Sequence, residues 1–376
     1  MDFDETDDMK EARERARTFA EKYFTEELAE SADRDEKFPM DLVEISRKEK
    51  ILDFSSPWKI LVSIEELCRR DPGLGISVTI TAFGSENLML FGSDYLKEHY
   101  MNSVLEGKKT MGLGVTEAGG GSDVSSVRTE AKKEGDHYVL NGGKMFISNG
   151  QIADFFVVLA RTSPPPSPEK RHRGLSTFVV ESSAPGFTAN KLHGKLGVRA
   201  TNTAELIFDN VKVPEQNLIG EEGKGFYYIM TFFNISRIYV AAQGLGIAQG
   251  ALDRMMEFAK NSTNLANEGD LKEEIHFAIA EVATRIEAAR NITYKAASYL
   301  FNFNPNPVVT SMAKYYAAET AVFAAKKALE ITGLTGITSK LERVYRDSKI
   351  LEIWEGTSEV EKLIISRMMT KNQGGN

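Results

Sequence analysis

The sequence predicts an α+β chain in three parts: an amino-terminal α-helical domain over 1–109, a small middle β-domain over 110–215, and a carboxyl-terminal antiparallel four-helix bundle over 216–376. Apolar residues recur at helical spacing through the first part. From Thr110 the period changes to two, and from Gly223 the chain shows four long helical patterns with few strand signals. At 376 residues it can bury a large core.

In the first part Ala16, Phe19, Ala20, Tyr23 and Phe24 share a helical face, and Pro39, Pro57 and Asp71-Pro72 punctuate the segments that follow. Gly75–Phe91 reads as a further helix. The middle part offers strands at Met111–Val115, Tyr138–Leu140, Lys144–Ser148, Asp154–Ala160, Leu175–Val180 and Ala204–Phe208, with Asn141-Gly142-Gly143 as a hairpin signal. Its loop from Ser163 to Arg173 is proline-rich and then basic. That loop is either an inert solvated turn or a contact for phosphates. In the last part the helical patterns break near Asn261–Asp270, Asn304–Pro307 and Gly333–Thr338, and short connections of this kind join antiparallel helices. Gly244, Gly246 and Gly250 lie inside a helical pattern, which marks close helix packing and not a phosphate loop.

Composition excludes several function classes. Hydrophobic content of 42% and charged content of 27% are those of an ordinary globular protein, and a net charge of −8 argues against nucleic acid as a partner. The single cysteine, Cys68, rules out an intramolecular disulfide and reads as a small buried hydrophobe. No metal-ligand spacing stands out. No apolar run is expected to reach the eighteen or so residues that span a bilayer, and the acidic start, MDFDETDDM, is the reverse of a targeting peptide. The expected location is cytoplasmic.

Three short stretches carry chemistry. In Lys349–Met369, Ser358 and Glu361 form an S-x-x-E capping box, with Val360, Leu363, Ile364 and Met368 as the apolar face of the helix behind it. Glu355 then stands on the approach to that helix, between the aromatic Trp354 and Gly356, which has no Cβ to block a ligand. This is how a buried general base would be mounted; the alternative is a surface glutamate before a cap. In Met111–Asp123 a strand leads through Thr116-Glu117 into three glycines and Ser122, a turn that can offer backbone N–H groups to an anion or flat ring. In Asn141–Gly150, Phe146 and Ser148 point to one side of a strand and can stack on and hydrogen-bond to one planar ligand; alternatively Phe146 is core.

TEAGGGSD, NGGKMFISNG and WEGTSE, in this order, resemble the motifs of the acyl-CoA dehydrogenase family, as do VKVPEQNLIGEEGKGF and AAQGLGIAQGALD between them. The resemblance runs over nearly the whole chain. It implies an FAD enzyme that removes two hydrogens from an acyl-CoA thioester to leave a trans-2-enoyl-CoA, with Glu355 as the base. Leu113, Val115, Thr116, Gly121, Ser122, Phe146, Ile147, Ser148, Thr357, Ser358 and Glu359 are implied at FAD. Ser122, Asn234, Arg237, Trp354 and Gly356 are implied at substrate, Arg237 alternatively being a structural ion pair in the bundle. Thr79, Ile80, Phe83 and Gly84 would line the acyl tail. Electrons would pass to an electron-transfer flavoprotein, and the chain would form a homo-oligomer, dimer or tetramer.

The chain departs from the family pattern at two places. Ser262, Leu265 and Ala266 replace R-x-x-F-G, and EITGLTG from Glu330 to Gly336 replaces Q-I-L-G-G-x-G. Both remove partners from the adenosine end of FAD, and Glu330 would repel phosphate. Ser236 occupies the position where some relatives carry the catalytic glutamate, leaving Glu355 as the base that matches a family position. The alternatives are an acyl-CoA oxidase, an enoyl-CoA reductase on the same site, and a thioester-binding subunit that has lost flavin.

Overall fold

The computed structural model describes residues 5–261 and 269–371. The chain divides into two compact units: Met1–Val78 with Lys195–Ala200 and Asn234–Asn376, and Thr79–Gly194 with Thr201–Phe233. The first is helical and the second is built on a sheet.

The sheet holds eight strands: β1 (Met111–Gly114), β2 (Glu130–Glu134), β3 (His137–Ser148), β4 (Phe155–Arg161), β5 (Leu175–Glu181), β6 (Phe187–Lys191), β7 (Thr203–Pro214) and β8 (Leu218–Ile219). Their order is β6-β7-β3-β2-β4-β5-β8, with β1 paired in parallel to β4. Phe155, Val157 and Leu159 face one cluster with Leu88, Met111, Leu113 and Phe232; Phe156, Val158 and Ala160 face another with Tyr138, Leu140, Leu206 and Phe208. A strand covered on both faces has no polar side, and that is why 155–160 is an unbroken apolar run.

The expected hairpin at Asn141-Gly142-Gly143 is not there. β3 runs straight through it, and the two strand candidates on either side are one strand. The pairing with β7 shifts register between Leu140 and Gly142, so the glycine is absorbed in a bulge at φ 137°, where a Cβ would lie 2.8 Å from the Thr129 Cα. The turn that joins β2 to β3 lies earlier, at Gly135 with φ 64°. β2 and β6 escaped the sequence reading because both are short, and β2 is mostly charged and exposed, so neither shows an apolar period.

Gly75–Phe91 is likewise not one helix. It forms Pro72–Thr79, Ile80–Ala82 and Ser85–Phe91, interrupted where Gly84 turns to φ 100° against Leu113. Of the candidate tail-pocket walls, Ile80 is buried and Phe83 meets Phe232 edge-on at 5.1 Å. The expectation that no apolar run could span a bilayer is also corrected. Pro72–Phe91 is long and apolar enough by length and mean hydropathy, 1.3, yet 56% of that window is buried inside the protein, as in a core segment.

In the helical unit the long helices are Gly225–Asn261 (from Asn234), Gly269–Phe301 and Pro307–Thr332, followed by Lys340–Ser348 and Ser358–Lys371. The Asn306 side chain caps the third by accepting from Val309 N at 3.2 Å, with Pro307 at its first position. The core-facing side of this helix is mostly alanine: Ala317, Ala321, Ala324 and Ala328 are fully buried. Small side chains let backbones close up. A Cβ on Gly244 would come within 2.8 Å of the Ala317 carbonyl, and one on Gly246 or Gly250 within 2.2 Å of the Glu65 or Arg69 carbonyl. Asp347, near the end of the Lys340–Ser348 helix, is wholly buried and accepts from the Val198 N–H of the Lys195–Ala200 segment; burial, with Asp71 nearby, pushes its carboxyl up to about 8.

Candidate active site

The turn Trp354–Thr357 is set by the helix that follows it. Thr357, not Ser358, is the cap: its Oγ1 accepts from Val360 N at 3.3 Å, and its carbonyl accepts the first helical bond from Glu361 N at 3.0 Å. The S-x-x-E reading is therefore one residue late. Glu361, expected to reach back to the cap, turns inward instead, fully buried, with Arg237 Nε at 2.9 Å from its Oε1. The apolar face assigned to this helix is at the surface: Leu363 and Met368 are exposed, Val360 and Ile364 half-buried.

Glu355 precedes that cap in a left-handed conformation at φ 54°, and Gly356 follows at φ 101°. A non-glycine residue at positive φ is held there by its surroundings. Two buried cations from two helices reach the carbonyls of this turn. Arg237 Nε donates to the Glu355 carbonyl at 3.1 Å, and Lys314 Nζ donates to the Gly356 carbonyl. Gly356 admits no side chain, since a Cβ would lie 2.2 Å from Glu361 Oε1.

The Glu355 carboxylate accepts a hydrogen bond from Ser236 Oγ. Burial pushes its pKa up to about 7, against the pull of the Ser236 hydroxyl and of the Arg237 and Lys314 charges, with Glu361 pushing the same way as burial. Burial likewise raises Glu361 and lowers Lys314 to about 8. Glu355 is thus poised to gain or lose a proton near neutrality, as a general base requires. Ser236, Lys314 and Glu361 were not foreseen in this setting. Arg237 makes the ion pair within the helical unit that one of its two readings expected.

The second group of predicted residues lies in the sheet unit. Leu113 and Val115 direct their side chains into its core, leaving their backbone edges, while Gly121 and Ser122 are exposed on the glycine turn and Thr116 is half-exposed. That turn is anchored from below. The Glu117 carboxylate accepts from Arg128 N (2.8 Å), Thr129 N (2.9 Å), Thr129 Oγ1 (2.6 Å) and Lys144 Nζ (2.8 Å). Lys144 is fully buried, also donates to the Val115 carbonyl at 3.1 Å, and is pushed down to about 8 by burial. Phe146 is 68% exposed, so the core alternative fails for it; it sits at φ 61° where the β3–β7 register shifts, flanked by the buried Ile147 and, beyond it, the half-buried Ser148.

Of the remaining residues, Asn234 is half-buried on the Gly225–Asn261 helix and Glu359 is exposed in the first turn after Thr357. Trp354 Nε1 and Ser358 Oγ are buried without a hydrogen-bond partner among the described residues. Orphaned donors beside Glu355, an aromatic face held out to solvent, and an open glycine turn are what a planar, polar cofactor and a thioester would use, so the residues present fit a flavin and acyl-CoA. At the departures, Glu330 does not stand as a bare charge. Lys327 and Lys326 lie 2.8 and 3.4 Å from its carboxylate oxygens. Ser262, Leu265 and Ala266 lie outside the described residues.

A half-buried glutamate of neutral-range pKa just before a helix, in a chain that also carries a β-domain with a glycine turn, is the equipment of an acyl-thioester oxidoreductase. The chain belongs to the acyl-CoA dehydrogenase family: 6–108 matches its N-terminal domain, 112–211 its middle domain and 223–370 its C-terminal domain. It is 37% identical over 371 residues to an acyl-CoA dehydrogenase of Bacillus subtilis, covering 95% of this chain and 96% of that one. It is 33% identical over 372 residues to the caffeyl-CoA reductase-Etf complex subunit CarC of Acetobacterium woodii, covering 96% and 97%. The solved butyryl-CoA dehydrogenase of Megasphaera elsdenii superposes with a TM-score of 0.89 at 33% identity, covering 98% of this chain and all of that one. The chain is an acyl-CoA dehydrogenase, an oxidoreductase of a family that typically uses FAD.

Proposed function

We propose that Glu355 removes the α-proton of a saturated acyl-CoA, giving the trans-2-enoyl-CoA, and that the electrons pass to an electron-transfer flavoprotein. The observation that carries this is the Glu355 carboxyl, raised to about 7 by burial and aimed by Ser236 and Arg237. A carboxylate at its ordinary value would be a weaker base at neutral pH. FAD, when bound, supplies the acceptor for the β-hydride. Phe146 and Ser148 would lie against its ring, Thr116, Gly121 and Ser122 would meet it through the turn that Glu117 and Lys144 hold, and Thr357, Ser358 and Glu359 would offer it a helix start. Trp354, Gly356 and Asn234 would stand at the thioester and its carrier. The domain bounds 1–109, 110–215 and 216–376, a homo-oligomeric state and a cytoplasmic location belong to the same reading.

The reverse direction is the second reading, favoured by a relative that is a reductase-Etf subunit. Anaerobic mixing of the flavin-loaded protein with butanoyl-CoA and, separately, of its reduced form with crotonoyl-CoA tells the two apart. Glu355→Gln keeps the shape and loses the base, so flavin bleaching by butanoyl-CoA should fall at least about a hundredfold. Bleaching at near the wild-type rate would remove Glu355 from the mechanism.

A further inference from the structure

We propose that Lys314 is a positioning residue for the base, acting with Arg237 as a two-point hold on the Glu355–Gly356 turn. This rests on the reading of Glu355 as the base. Glu355 and Gly356 are successive left-handed residues, and each of their carbonyls receives a buried cation, Arg237 from the Gly225–Asn261 helix and Lys314 from the Pro307–Thr332 helix. Neither carbonyl can swing away without breaking a buried hydrogen bond. Lys314 is wholly buried among Ala313, Ala317 and Ala318, where an apolar side chain would pack without the cost of removing an ammonium from water. Stability alone therefore does not account for it. What faces it does: Glu361 from the Ser358–Lys371 helix, Glu355 from the turn, Arg237 from the Gly225–Asn261 helix and Glu352 from the 349–352 turn.

The arrangement gives Lys314 two separable effects. Its N–H fixes the Gly356 carbonyl, and so the direction in which the neighbouring Glu355 side chain leaves the backbone. Its charge lies near both Glu355 and Glu361; without it, the two carboxylates share Arg237 alone among these groups, and Glu355 holds its proton more tightly. Lys314→Met removes both effects at similar volume. Lys314→Gln removes the charge but leaves an amide that can donate to the carbonyl.

The test follows the exchange of the α-protons of butanoyl-CoA with D2O, by mass spectrometry on purified holoenzyme, together with kcat and KM from pH 5.5 to about 9.5. For Lys314→Met the expected result is kcat at pH 7 lowered at least about tenfold with KM within about threefold, and the acid limb of both exchange and kcat moved to higher pH. Lys314→Gln should recover much of the high-pH plateau while its acid limb stays displaced. Circular dichroism establishes that each variant is folded; should the Met variant not fold, the limb of the Gln variant decides. A folded variant with the wild-type limb and plateau overturns the assignment. Glu355→Gln runs beside them: exchange that persists in it sinks the base itself, whereas exchange lost there but untouched in the Lys314 variants sinks only the positioning role.

Discussion

Gly356→Ala tests the turn at its tightest point. The residue holds φ 101°, a positive value that side-chain-bearing residues rarely adopt, and adopting it costs roughly 1–3 kcal/mol. The new methyl would also lie 2.2 Å from Glu361 Oε1 and 3.3 Å from Arg237 Nη2. Glu361 must then withdraw from Arg237, and disturbing a buried pair of this kind costs up to about 3–5 kcal/mol when one partner is lost. A combined loss of about 3–5 kcal/mol is expected, together with a fall in flavin reduction of at least about tenfold because Glu355, the proposed base, shares the turn. Gly135→Ala is the comparison, since it has φ 64° and nothing within 4 Å of its added Cβ, so it should lose only about 1 kcal/mol of backbone strain. Urea unfolding followed by far-UV dichroism measures both, and stopped-flow reduction by butanoyl-CoA measures the turn's effect on chemistry. If Gly356→Ala is no worse than Gly135→Ala and reduces its flavin normally, the close approach of Glu361 does not exist in solution.

Three further outcomes follow from the same structure. Ser236→Ala withdraws the hydroxyl that favours ionised Glu355, so the acid limb of kcat/KM, expected near pH 7, should move up by about one unit; an unmoved limb refutes the Ser236–Glu355 bond. Phe146→Ala should weaken flavin retention by about 1–3 kcal/mol, read by equilibrium dialysis of FAD, and full retention would deny the exposed ring a stacking role. Asp347 binds a proton up to about pH 8 in the folded state but only to about 3.8 unfolded, so it makes the protein less stable as pH rises between those values. Asp347→Asn should accordingly gain stability over the wild type, on the order of 1–3 kcal/mol above pH 8 and nothing near pH 4, and urea midpoints that differ equally at both ends would contradict this.

What could be read in advance was what depends on local pattern. The helical, strand-rich and helical parts announce themselves by period, whereas Glu355, between Trp354, Gly356 and a helix start, reads equally as a surface glutamate until the three motifs are taken together. The hairpin error at Asn141-Gly142-Gly143 came from treating a turn signal as sufficient, when the β7 partner could absorb Gly142 in a bulge. The cap slipped from Ser358 to Thr357 because either hydroxyl satisfies the local rule, and only the inward pull of Arg237 on Glu361 decides between them. Lys314 and Lys144 were invisible for a deeper reason. A lysine in a sequence reads as surface, and its burial is known only once carbonyls and carboxylates from elsewhere in the chain, such as Gly356 and Glu361 for the one and Val115 and Glu117 for the other, have been brought against it.

The three glycines of the Gly225–Asn261 helix have a reach beyond their own contacts. Gly244, Gly246 and Gly250 seat the helix against the carbonyls of Ala317, Glu65 and Arg69 so closely that it can neither slide nor roll without collision. A helix advances about 1.5 Å and turns about 100° per residue, so locking it at Gly244 also sets the height and bearing of Ser236 and Arg237, roughly 10–12 Å further up the rod. The setting of Glu355 is therefore indexed by a notch two turns away. A methyl added at Gly246, touching nothing that reacts, would be felt at Glu355 as a rotation of its two supports.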